Sequence, residues 1–309
     1  LSYYANSYFK AKSTKLLSKQ QLESLIAKSD EKFFELLRNY GFGFNESIEH
    51  LYVKEIKALK KDLEDALGDL KEFKIFFYPY DVLNTKLIYK EIKENIQTEA
   101  FYLDCGNINP SDIYQTLKYG KYMDLKEHEE LFGEIRKIKE TNYQKINYII
   151  DSLFIERMKE TVKGSSPLTE YLTVKLDVTN LLTVIRVKKL NLGKEFLEDA
   201  IFETNSLSKK EFIELYDSTL EGLERKANNL GYFSVKRSLE EYRRNKDLES
   251  LESNLEADLY KVLIDYSFKT EGLGYIMTYI YEKLMELKNI KIIYYNRDTS
   301  LDKLFILER

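Results

Sequence analysis

Only three prolines and twelve glycines punctuate a chain of 309 residues. A β-sandwich or barrel turns every few residues, and its turns are built largely from those two residue types. A chain so poor in them is expected to be all-α. Apolar residues make up 43% of it and charged residues 32%, the balance of a folded protein rather than a disordered one. The 48 basic and 52 acidic residues leave a formal charge of −4, with both signs mixed along the chain. A nucleic-acid-binding face needs a basic excess, so no nucleic acid is expected as a partner.

The longest stretch without a charge, Gly272 to Tyr281, has ten residues, whereas a membrane-spanning helix needs about 20. Any membrane role is therefore expected to be peripheral. The first residues lack a signal-peptide pattern, and a chain opening on Leu1 without Met is expected to be trimmed. One cysteine, Cys105, excludes an internal disulfide and fits a reducing compartment.

Two elements recur in step. Three capping boxes are expected at Ser18-Lys-Gln-Gln21, Asn109-Pro-Ser-Asp112 and Ser208-Lys-Lys-Glu211, 91 and 99 residues apart. In each, a polar residue can accept a backbone N–H bond while the residue three later reaches back. Pro110 falls at a first helical position, where its missing N–H costs nothing. The second element is an acid followed three residues later by asparagine: Asp81 and Asn84, Asp177 and Asn180, Glu286 and Asn289, 96 and 109 residues apart. Each pair runs into an apolar helical stretch. Two independent motifs thus share a period of about a hundred residues, the mark of an internal repeat.

Between them the apolar spacing predicts three long amphipathic helices. The first runs from about Asn45 through Ile48, Leu59, Leu67 and Leu70 to Phe73. The second starts at a capping box Asp124-Leu-Lys-Glu127 and carries Leu131, Ile138, Ile146, Leu153 and Met158. The third starts near Ser234 and carries Leu239, Tyr242, Leu248, Leu255 and Leu263. At 1.5 Å per residue, a helix of about 30 residues is about 45 Å long. Gly164-Ser-Ser-Pro167 is expected to end the second helix and turn the chain into that of Asp177. The expected architecture is three pseudo-symmetric helical repeats, 1–103, 104–200 and 201–309, in one continuous body without flexible linkers. Three like units could close around an axis and leave a funnel.

Catalytic motifs are missing. No phosphate-cradling glycine loop, dinucleotide fingerprint or His-Glu-x-x-His helix occurs, and only His50 and His128 are available as imidazoles. Leu125 stands where a di-iron helix would place a glutamate before His128. No catalytic, cofactor-binding or metal residue is assigned. Cys105 reads as a small buried residue or a reactive thiol. The acid–asparagine pairs need an explanation, because asparagine is a poor helix former. In the structural reading Asn84, Asn180 and Asn289 tie each repeat to its neighbour or to its own preceding loop. In the functional reading the six residues form a polar ring lining a socket. The aromatic run Phe73 to Tyr80 reads as helix-interface filling or as a binding surface.

With these residues in view, the chain resembles the C subunit of the V-type (A/V) ATPases, whose eukaryotic counterpart is the d subunit. The resemblance rests on Leu16-Leu-Ser-Lys-Gln-Gln-Leu22, Phe73 to Lys90 around Tyr80-Asp-Val-Leu-Asn-Thr-Lys86, and Asp177-Val-Thr-Asn-Leu-Leu182 leading to Arg186. Gly272-Leu-Gly-Tyr-Ile276 and Glu286-Leu-Lys-Asn-Ile-Lys291 complete it. The basic residue nine after the acid, Lys90 and Arg186, is Tyr295 in the third copy, and Lys86 and Lys291 stand where the middle copy has Leu182. The resemblance implies a non-catalytic rotor part on the cytoplasmic face of the membrane, without direct nucleotide binding or cofactors. Its implied partners are the D and F shaft proteins and the membrane rotor ring, between which it would pass torque. The alternative is a cytosolic helical adaptor unrelated to rotary motors.

Overall fold

Helix starts are set by short polar side chains. Ser18 and Ser208 each accept the N–H of the third helical residue, and Gln21 and Glu211 reach back to the cap backbone, completing two of the expected capping boxes. The third expected box is a simpler cap, in which Asn109 Oδ1 accepts the Ser111 N–H and Pro110 occupies the first turn. Helix ends are set by left-handed residues: Gly68 at φ +80°, Asn95 at +55° and Gly120 at +68°.

The computed structural model describes residues 3–121, 126–269 and 273–306. Among them are fifteen α-helices and no β-strand. The first four are α1 (Tyr3–Ser13), α2 (Lys19–Leu25), α3 (Asp30–Leu37) and α4 (Ile48–Leu67). Next come α5 (Tyr78–Glu94), α6 (Pro110–Tyr119), α7 (Glu129–Arg136) and α8 (Tyr143–Thr161). The rest are α9 (Ser166–Lys189), α10 (Leu197–Ala200), α11 (Lys209–Glu214), α12 (Leu220–Asn229), α13 (Phe233–Asn245), α14 (Leu248–Lys269) and α15 (Leu273–Tyr295). The chain is all-α, as its turn-poor composition predicts.

Packing gathers the helices into two units, Leu1–Asp69 with Glu170–Arg309, and Leu70–Thr169. In the larger, α15 lies against α14, α1, α4 and α2. Phe9 of α1 meets Tyr279 at 5.4 Å and Phe33 of α3 meets Tyr294 at 5.4 Å. In the smaller, α5 packs on α6 and α8 around Tyr78, Ile88, Ile113, Phe132, Ile150 and Phe154. The aromatic run belongs to this unit, and Phe73, Phe76, Phe77 and Tyr78 are buried.

All three predicted long helices are shorter than expected. The first ends at Gly68, and Leu70 and Phe73 are buried beyond the break. The second is two helices, α7 and α8. Between them the Glu140 carboxylate takes the N–H groups of Thr141 and Asn142, and Asn142 caps α8. Such local side-chain bonds compete with helix propagation. Its expected box at Asp124–Glu127 begins outside the described residues. The third is α13 and α14, parted at Lys246 (φ +57°), with Asp247 Oδ1 accepting the N–H of Glu249 and Ser250. The glycine–proline cluster at 164–167 does turn the chain from α8 into α9, with Gly164 at φ +93°.

Candidate functional site

The three recurring asparagines make one and the same pair of bonds. Asn84 donates from Nδ2 to the carbonyl of Leu103 at 2.8 Å and accepts the Leu103 N–H on Oδ1 at 2.8 Å. Asn180 does this to Phe202, at 2.8 and 3.0 Å. Asn289 does it to Phe305, at 3.0 and 2.8 Å. The side-chain amide thereby imitates a peptide group and grips the backbone of one residue in a strap that follows the helix. Asparagine alone among side chains this short supplies both a donor and an acceptor in that geometry. All three are buried, which makes any unpaired partner expensive.

One turn earlier, the acid takes a second hold. Asp81 Oδ1 accepts the N–H of Ile108 at 2.9 Å, and Oδ2 accepts the N–H of Asn107 at 2.9 Å and its Nδ2 at 3.1 Å. Glycine is required beside it, because a Cβ on Gly106 would lie 2.8 Å from Asp81 Cγ. Asp177 Oδ2 accepts the hydroxyls of Ser206 and, at 2.6 Å, Tyr232. Burial, reinforced by this bond to Asp177, raises the Tyr232 phenol well above its usual range. Glu286 Oε1 accepts the N–H of Leu17 at 2.6 Å, and Oε2 accepts Lys283 Nζ at 2.7 Å.

Each acid reaches the strap that leads into a capping residue. Ile108 directly precedes Asn109, Ser206 lies two before Ser208, and Leu17 directly precedes Ser18. The Asp81 and Asp177 clasps use the cap that follows them in the chain, whereas Glu286 uses the N-terminal one. These bonds cross the repeat boundaries drawn at 103 and 200. The asparagines hold the loop that follows each helix, not the preceding one.

The third clasp sits in a charged, half-closed setting. Lys283 also pairs with Glu55 at 3.0 Å. Burial alone would lower the Lys283 ammonium, but the Glu286 and Glu55 carboxylates more than offset it and leave its pKa raised. Beside this clasp lies a pocket of about 300 Å³ whose lining includes Leu17, Leu22, Phe305 and Ile306.

The flanking basic positions do not share a role. Lys86 pairs with Asp151 at 2.6 Å, Lys90 lies over the Tyr143 ring, Arg186 pairs with Glu252, and Lys291 lies over Tyr52. Tyr295 is exposed. His128 is buried edge-on to Tyr78, and Cys105 is buried within the first strap. The clasp partners Leu103, Phe202 and Phe305 escaped the sequence reading. The one available signal is that Leu103 and Phe202 each stand six residues before a cap, Asn109 and Ser208.

Buried side chains that pin backbone straps to helices define an all-α scaffold whose recurring polar residues hold shape. The ATP synthase (C/AC39) subunit family matches residues 5–309, and the chain belongs to that family. It is similar to the A-type ATP synthase C subunit of Methanosphaera stadtmanae, at 24% identity over 94% of this chain and 82% of that protein. It is also similar to the A-type ATP synthase C subunit of Methanobrevibacter smithii, at 30% identity over 47% of this chain and 39% of that protein.

Proposed function

We propose that the chain is a non-catalytic central-stalk component of an A/V-type ATPase. It joins the D–F shaft to the membrane rotor ring on the cytoplasmic face and passes torque between nucleotide chemistry and ion movement. The observation that carries this reading is the family match along residues 5–309. Two features support it. No helix among the described residues is long and apolar enough to cross a membrane, which fits a peripheral part. The first two clasps each fix one strap at two points, and a part that transmits torque must resist shear. Asp81, Asn84, Asp177, Asn180, Glu286 and Asn289 act here as internal ties between helix and strap, and shaft contacts come from other side chains.

The test is reconstitution in vesicles carrying the head, shaft and ring. With the chain present, ATP hydrolysis drives ion uptake; without it, hydrolysis continues and uptake is lost. Equal uptake in both samples ends the proposal. For the ties, Asn180→Ala combined with Asn289→Ala is expected to weaken both folding and D–F binding. If both are unchanged, the role given to those asparagines is wrong.

A further inference from the structure

The three clasps differ in one respect that chain connectivity makes consequential. In the first two, both gripped points lie on one short strap: Leu103 and Asn107 are four residues apart, as are Phe202 and Ser206. If one bond opens, the other holds its partner close at high effective concentration, and the strap reseats. In the third, Asn289 grips Phe305 while Glu286 grips Leu17, from opposite ends of the chain. No short connection links the two gripped residues, so each hold opens by itself.

Two further observations fall on the same segment. The pocket of about 300 Å³ beside this clasp is lined by both gripped residues, Leu17 and Phe305. Helix α2, only seven residues long, ends just before Ala27, whose φ of +57° is left-handed without the freedom of glycine. A strained residue beside a helix this short marks a place where dihedrals can relax on opening.

We infer that the third clasp is the seam of the larger unit, and that residues 14–26 open as a strap hinged at Ala27. On opening, Leu17 leaves Glu286 and the apolar Leu22 and Leu25 leave α15, while Phe305 stays on Asn289. The Lys283 ammonium remains beside Glu286 and prevents an isolated buried carboxylate, which makes the open state accessible. The inference does not depend on the rotor reading.

The experiment is amide hydrogen exchange on the unaltered full chain in low urea. Amides of residues 16–22 are expected to exchange about tenfold or more faster than those of 103–109 and 202–208, with little dependence on urea, as local opening requires. Equal or slower exchange at 16–22, or a urea dependence matching global unfolding, overturns the inference. Thiol labelling gives a second readout. In Leu17→Cys the new thiol should react about tenfold faster than the native, buried Cys105, which reports the first clasp in the same molecule. Equal rates overturn it, and if this variant does not fold the exchange data on the unaltered chain decide.

Discussion

Asn180 and Phe202 exchange two hydrogen bonds across 22 positions of sequence, Nδ2 to carbonyl at 2.8 Å and N–H to Oδ1 at 3.0 Å. Replacing Asn180 by Ala leaves both backbone groups of Phe202 without their partners in a part-buried site. Each unsatisfied group costs about 1–3 kcal/mol, so Asn180→Ala is expected to lower unfolding free energy by about 2–4 kcal/mol. Asn180→Asp keeps the acceptor, loses the donor and buries a charge beside a carbonyl, so it should be no milder. Urea denaturation followed by helical circular dichroism measures both.

Gly106 and Gly68 separate two reasons for glycine. A Cβ on Gly106 runs into the Asp81 carboxylate and lies 3.1 Å from the Asp81 backbone nitrogen, whereas a Cβ on Gly68 meets nothing within 4 Å. Gly68→Ala should therefore cost about 1 kcal/mol, for its left-handed φ alone. Gly106→Ala should cost about 2–4 kcal/mol, through overpacking and a loosened carboxylate. Equal losses would mean that the close approach to Asp81 matters little.

His128 links stability to acidity. Burial pushes its pKa from 6.5 down to about 4; Glu127 opposes the shift, while the charges of Arg157 and Lys74 add to it. Folded His128 is thus neutral between those values, while the unfolded side chain takes a proton near 6.5. The unfolded state binds more protons in that window, and stability falls as pH drops from about 6.5 towards 4, by about 3 kcal/mol. His128→Gln should flatten that part of the profile, measured as unfolding free energy against pH.

Lys283 sits between two carboxylates, 2.7 Å from Glu286 and 3.0 Å from Glu55. Removing the ammonium in Lys283→Met leaves the buried Glu286 and the half-buried Glu55 as neighbouring like charges, which should cost about 2–4 kcal/mol. Adding Glu55→Gln should recover part of the loss. A double variant as unstable as the sum of the two single variants would show that the charges are not coupled.

Much of this architecture was legible before the fold. The helical class, the serine caps and the three acid–asparagine pairs follow from residue type and spacing. What grips those pairs was hidden, because Leu103, Phe202 and Phe305 contribute only N–H and C=O groups, which every non-proline residue carries. The long helices were overread for a different reason. Apolar spacing persists from α7 into α8 and from α13 into α14 because consecutive helices face the same core. Their interruptions depend on Glu140, Asn142, Lys246 and Asp247, polar residues that also suit an exposed helix face.

The two hydrogen bonds of the asparagine grip use only the peptide atoms of the gripped residue. Leucine and phenylalanine are therefore held equally well, and almost any other residue could stand in their place. Replacement there leaves the tether itself in place. The spelling at those three points is therefore free to change, proline excepted, while the frame stays as it is.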